Sequence, residues 1–287
     1  MTVHSFRSSS SARRRFLASA GALAAGALLA GAARAARINP PALLDNEAGG
    51  YRVLPAGQVF CGGVIANPGH EIVHALLGPW LPLSDAWGFI EAHLKSLGRP
   101  VQALCGMELR IPQQLTLDGF RAFNAPYVEE LRKRNLVLGN YSAVCRTNVA
   151  PARDVPKAPS LHAFSYCVPS AHTGTTFCVS GTADIDVRGK IVADGDVSAA
   201  GMRTRLQHCV DVITERLAML ELDWSAATHI DLCVVQDIPG LMESVVVPGL
   251  QGAAARGVRV HVARPPIIGA EVELECRGAR QELVLRA

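Results

Sequence analysis

Aromatic residues make up only 5% of the 287-residue chain and charged residues 18%, while 49% of the residues are hydrophobic. Low charge with abundant apolar residues excludes a disordered chain, which could not bury enough surface to offset its chain entropy. The length suffices for one large or two modest cores. Eight cysteines are too few for a disulfide scaffold, and none forms a C-x-x-C pair or sits near histidines at zinc-finger spacing. Most stand in apolar strand-like runs such as Val59-Phe60-Cys61 and Phe177-Cys178-Val179. There a thiol packs as a small hydrophobe, so buried free thiols are expected. G-x-S-x-G elbows, Walker loops and dinucleotide fingerprints are missing, and no cofactor or metal is expected.

Basic charge is scarce once position is considered. The formal net charge is +3, yet residues 1–35 hold five arginines (Arg7, Arg13, Arg14, Arg15, Arg34) and no acid. Taking those five from the 28 basic residues leaves 23 against 25 acidic ones, a charge of −2. Nucleic acid is therefore not an expected partner. Arg13-Arg14-Arg15-Phe16-Leu17 precedes an uncharged run from Ala18 to Ala33, and Ala33-Arg34-Ala35 has the small-x-small form of a cleavage site. This pattern reads as a secretory signal of the twin-arginine type over residues 1–35, cleaved near Ala35. The run is too short and too rich in Ala and Gly for a membrane span. A soluble periplasmic protein without a membrane partner is the expectation.

The remaining chain repeats an order of elements. Block one opens with a strand at Gln58–Ile65 and block two with one at Thr175–Thr182. A helical pattern follows each: Ala86, Phe89, Ile90, His93, Leu94 and Leu97, ending at Gly98, and then Leu206, Cys209, Val210, Ile213, Leu217 and Leu220. Apolar strands come next at Leu104–Ile111 and His229–Val235, with Glu108-Leu109 matching Asp231-Leu232. A second helical segment (Leu117–Arg134; about Ile238–Ala255) and two strands complete each block. Arg153–Ser160 reads as a surface loop, and the boundary falls near Pro169–Thr173. The order β-β-α-β-α-β-β predicts an α+β fold of two tandem domains, 36–170 and 171–287, each a mixed sheet with two helices on one face.

Block two carries Val179-Ser180-Gly181-Thr182, a turn glycine at Gly189 and Ile191-Val192-Ala193-Asp194; block one carries Phe120-x-x-x-Asn124-x-x-Tyr127. Strands reading Gly257-Val258-Arg259-Val260-His261-Val262 and Val144-Cys145-Arg146-Thr147-Asn148-Val149 are followed by Val272-Glu273-Leu274 and Leu161-His162-Ala163. This ordered set resembles the RidA (YjgF/YER057c/UK114) reactive-intermediate deaminases, over nearly all of residues 50–285 as two diverged copies. The resemblance implies a chorismate-mutase-like fold in each copy and, more distantly, a likeness to chorismatases through Ser180-Gly181-Thr182-Ala183.

Strand alternation puts Val258, Val260 and Val262 on one face and Arg259 and His261 on the other. Likewise Val272 and Leu274 oppose Glu271, Glu273 and Glu275. If these strands pair, a guanidinium fork and a carboxylate project together, suited to holding a substrate carboxylate and relaying a proton. A structural cross-strand ion pair is the competing explanation. The resemblance implies substrate-binding roles for Arg146 and Arg259 and catalytic roles for Glu273 and His162. His162 stands where the family has glutamate, and Arg256 and Arg264 rival Arg259. His70-Glu71-Ile72-Val73-His74 matches H-E-x-x-H, but it falls in a strand of the repeat, where its histidines stand roughly 13 Å apart, which argues against a zinc protease.

The implied function is hydrolytic deamination of a small carboxylate-bearing imine or enamine, or an amino-muconate-type acid. A chorismatase-like lyase or a non-catalytic small-acid binder are the alternatives. The family's packing implies a homotrimer of about 80 kDa with sites shared between domains.

Overall fold

The computed structural model describes residues 41–287; the expected signal segment lies outside them. The first half contains β1 (Leu44–Asn46), β2 (Tyr51–Leu54), β3 (Gly63–Ala66), β4 (His70–Pro82), α1 (Leu83–Ser96), β5 (Leu104–Arg110), α2 (Leu117–Lys133), the two-residue strands β6 (Val137–Leu138) and β7 (Tyr141–Ser142), β8 (Cys145–Pro151) and β9 (Ser160–Pro169). The second half contains β10 (Phe177–Ala183), α3 (Ala199–Met219), β11 (His229–Val234), irregular helical turns between Met242 and Arg256, β12 (Arg259–His261), β13 (Ala263–Arg264), β14 (Val272–Gly278) and β15 (Gln281–Leu285). The fold is mixed α+β.

Two large sheets form. One runs β13-β8-β5-β9-β4-β15, the other β1-β2-β3-β10-β14-β11-β12. The order β4-β9-β5-β8 in the first recurs as β10-β14-β11-β12 in the second. The pairings match as well: antiparallel, antiparallel, then parallel. The sheets also trade strands: β3 pairs with β10, while β13 and β15 pair with β8 and β4.

Local chemistry accounts for the helices. Thr116 and Ser198 cap α2 and α3 by accepting from the backbone N–H of Gly119 and Gly201. α1 ends where Gly98 takes a positive φ of 66°, a conformation that is strained for residues with a Cβ. Ile90 and Leu94 of α1 and Leu131 of α2 bury against Val73, Phe164 and Tyr166 of the first sheet. Leu206, Ile213 and Leu217 of α3 bury against Val179, Leu274 and Cys276 of the second. Truncating one such side chain to alanine costs about 2–5 kcal/mol. The segment expected as a second helix in block two is helical but irregular, with a π turn at Met242–Val246, a short α turn at Val247–Gly249 that contains Pro248, and 3-10 turns at Gln251–Arg256. The turn expected at Gly189 is closed by a single Ile185–Ile191 bridge. The opening strand expected at 58–65 begins only at Gly63.

The faces of the two sheets away from the helices meet each other. β14 alternates: Val272, Leu274 and Cys276 face α3, while Glu273, Glu275 and Arg277 face the other sheet. All eight cysteines are buried free thiols. Five of them, Cys61, Cys105, Cys145, Cys167 and Cys178, share one cluster with Tyr51 and Ile72.

Candidate active site

The ladder between β10 and β3 covers only Phe177–Val179, and the β10–β14 register shifts between Val179 and Thr182. Ser180 and Gly181 lie in that lapse, and a cavity of about 340 Å³ opens beside them. Its walls include Arg146 and Asn148 of β8, Glu273 of β14, Phe120 of α2, and His208, Val212 and Arg216 of α3. The volume lies within the range of small-molecule sites.

Arg146 is buried, and its Nη1 donates to Asn124 Oδ1 at 2.7 Å. Its guanidinium lies 4.9 Å from the Tyr127 ring centroid and 5.5 Å from that of Phe120. Residues 120, 124 and 127 occupy one helical face, so α2 supplies an aromatic and amide bed for one cation. The Arg146 backbone N–H donates to Ser180 Oγ at 3.0 Å, and that hydroxyl donates to the Cys61 carbonyl at 2.6 Å. Burial lowers the Arg146 pKa, while Tyr127 and Glu273 pull it back up. Among the described residues, its remaining N–H groups have no protein partner.

Glu273 accepts the Asn148 backbone N–H at Oε1, 3.4 Å away, and its Oε2 is buried without a partner. Burial pushes its pKa up to about 8, against the lowering pull of the Asn148 N–H, Arg146 and Arg110. At neutral pH the group therefore carries a proton. Both polar atoms of the Asn148 side chain are likewise buried and unpartnered. Orphaned polar atoms of this kind cost free energy unless a ligand or water meets them. Glycine at 181 is required by crowding. A Cβ there would stand 2.5 Å from Glu273 Oε1 and 2.8 Å from Thr147 Oγ1.

A second polar cluster ties the sheets together. Arg277 Nη1 bonds Glu108 at 3.1 Å, Asp231 at 2.9 Å and Glu275 at 3.1 Å, and Thr147 bonds Glu275. Burial raises the Glu108 pKa, but the pull of Arg277 and of the neighbouring His74 is greater and leaves it well below the carboxylate range. Burial lowers His74 to about 4 and His162 to about 3. The charges of this cluster are paired with one another, and breaking such a buried set is costly. Among the described residues, no group of three or more His, Cys, Asp or Glu side chains is placed to hold a metal ion.

Of the residues singled out in the sequence, Arg146 and Glu273 meet in the cavity. Arg259 and Glu273 are not on paired strands, because β11 lies between β12 and β14. Arg259 instead forks onto Glu282, at 3.1 and 2.8 Å, on the exposed edge of the sheet. His162 lies outside the cavity lining: its Nε2 is 3.9 Å from Glu108, and its ring sits edge-on to Trp80 and 6.5 Å from His261. Arg264 pairs with Glu271, and Arg256 donates to the carbonyls of Ser225 and Ala227. The H-E-x-x-H stretch is strand, within β4. Sequence reasoning passed over Asn148, His208 and Arg216. Asn148 stood in the quoted strand beside Arg146. The other two lie at i and i+8 of a helix read only for its apolar face.

The family model described as 2-aminomuconate deaminase CnbZ matches residues 43–283. A 2-amino-5-chloromuconate deaminase of Comamonas testosteroni is 36% identical over 244 residues, covering 83% of this chain and 96% of that protein. Two solved structures are more distant. One, described as a protein of unknown function of the conserved Rid family, YyfB from Yersinia pestis, has 15% identity and a TM-score of 0.31; it covers 36% of this chain and 77% of that one. A chorismatase has 14% identity and a TM-score of 0.42, covering 84% of this chain and 80% of that one. The chain belongs to the 2-aminomuconate deaminase family.

Proposed function

We propose that this chain is a hydrolase that deaminates a small enamino or imino acid of the 2-aminomuconate type in the cavity between its two sheets. Family membership supports a deaminase. The observation that carries the site assignment is the buried Glu273 carboxyl, its Oε2 without a partner, beside the unpartnered Asn148 amide and the open N–H groups of Arg146.

In this mechanism Arg146 forks onto the carboxylate next to the nitrogen-bearing carbon. Protonated Glu273 gives its proton to the enamine carbon, which leaves an iminium. The resulting carboxylate then takes a proton from water as the water oxygen bonds to the nitrogen-bearing carbon. Glu273 passes that proton to the nitrogen, the C–N bond breaks as the new hydroxyl gives its proton back to the Glu273 carboxylate, ammonia departs and a keto acid remains. One water is consumed for each ammonia released. The Asn148 amide orients the attacking water or the departing nitrogen. Ammonia release by the mature protein from 2-aminomuconate and a panel of imino and enamino acids tests this. Conversion of chorismate instead would establish the lyase alternative, and acid binding without turnover the non-catalytic one.

We also propose that the chain holds two diverged copies of a RidA-like domain, 36–170 and 171–287, supported by the twice-repeated strand order. Twin-arginine export and a homotrimer belong to the same proposal. Exposed Val260 and Val284 on the two edge strands bridged by Arg259 and Glu282 support contact with further copies. Periplasmic fractionation and light scattering test these two points, and a monomeric mass at micromolar concentration overturns the trimer.

A further inference from the structure

The mechanism above uses one guanidinium, but the cavity holds two. α3 presents His208, Val212 and Arg216 to it, three residues spaced by four along one helical face of about 12 Å. Arg216 Nη1 donates to the Ser180 carbonyl at 2.7 Å and approaches that of Gly181 at 3.5 Å. These are the carbonyls left over where the β10 ladder lapses. Among the described residues its Nε and Nη2 meet no protein acceptor, and no carboxylate pairs with it. Elsewhere this protein supplies buried arginines with protein acids: Arg205, on the same helix, has Asp184, and Arg277 has three carboxylates. Arg216 itself is half-buried, and since an arginine cannot shed its charge by giving up a proton, an unpaired one lining a cavity favours an anionic ligand. Arg146 and Arg216 also approach the free edge of β10 from different layers. Arg146 comes from the six-stranded sheet and is bedded on α2; Arg216 comes from the helix covering the seven-stranded sheet.

We propose that Arg216 is the second carboxylate fork of this site: Arg146 takes the carboxylate beside the nitrogen-bearing carbon, Arg216 takes the far one, and the pair selects linear dicarboxylates over monocarboxylates of equal length. The assignment rests on the cavity being the deamination site. It balances charge. Two carboxylates meet two guanidiniums, and Glu273, which burial keeps protonated at neutral pH, adds no third anion.

The test compares two inhibitors with the same six-carbon diene: trans,trans-muconate, with two carboxylates, and sorbate, with a methyl group in place of one. The unmodified protein is expected to bind muconate ~100-fold more tightly, the scale of one charge-assisted bidentate contact. In Arg216→Gln the preference should collapse to a few-fold through loss of muconate affinity alone, whereas Arg146→Gln should weaken both inhibitors. Arg216→Lys keeps the charge and a carbonyl bond, guards against a folding failure, and should lose about tenfold of the preference. An unchanged preference in either Arg216 variant that folds, or equal loss for both inhibitors, overturns the assignment. If the unmodified protein prefers muconate and Arg216→Gln removes that preference, yet no ammonia is released from 2-aminomuconate, the deamination reading fails and the dicarboxylate site stands.

Discussion

Asn148 and Glu273 meet across the two sheets. The Asn148 backbone N–H donates to Glu273 Oε1 at 3.4 Å, while the Asn148 amide and Glu273 Oε2 are buried with no partner. The backbone contact fixes the carboxyl, and the free atoms are left for a ligand. That division separates this pair from the ion-paired cluster around Arg277 further along the same strand, where one guanidinium nitrogen meets three carboxylates.

Glu273→Gln preserves shape and removes the transferable proton. Its kcat for ammonia release should fall by about two to four decades, with KM little changed. Full activity in this variant would move the catalytic centre elsewhere.

The raised pKa of Glu273 makes a signed prediction about pH. The folded protein keeps this proton up to about 8, whereas the unfolded chain loses it near 4.5. The unfolded state binds fewer protons in that window, so the contribution of this group to stability is full below 4.5 and is lost as pH rises towards 8. kcat/KM should likewise decline as pH rises through about 8, where the acid form disappears. Glu273→Gln should remove its share of both slopes in denaturant titrations run across pH.

The two signature arginines should behave differently. Arg146→Lys loses bidentate geometry and should raise KM about tenfold or more while the fold persists. Arg259→Lys touches only an exposed pair with Glu282, worth roughly 0–1 kcal/mol, and should leave the kinetics unchanged. Equal effects at both positions would contradict the cavity as the site.

His162→Asn should keep kcat/KM within about twofold, since the side chain stands with Glu108 and Trp80 rather than in the cavity. A loss of several decades would restore it as a catalytic group.

Arg277→Met leaves Glu108, Asp231 and Glu275 buried together without their shared cation. Removing one partner of such a buried network costs about 3–5 kcal/mol, so the urea midpoint should fall sharply.

The sequence by itself determined the periodic parts of this protein. Three- and four-residue spacing marked α1, α2 and α3, and two-residue alternation placed Glu271, Glu273 and Glu275 on the face opposite Val272 and Leu274, because both periods are local geometry of the backbone. The Phe120, Asn124 and Tyr127 spacing likewise marked one helical face, and Arg146 settles on it. Only the tertiary structure decided partnership. The same alternation turns Arg146 and Arg259 to the face away from the helices, yet β8 lies against β10 and β14 whereas β12 lies at a sheet edge with Glu282 in reach. His162 and Glu273 hold matching places in the repeat, but different neighbours surround them, one near Glu108 and Trp80 and the other in a cavity. Arg216 had no legible signal: its role depends on β10 losing its ladder at Ser180 and Gly181, 35 or more residues away in the chain. Pairing between distant strands is set by the sum of many burial and register terms, and no window of sequence contains that sum.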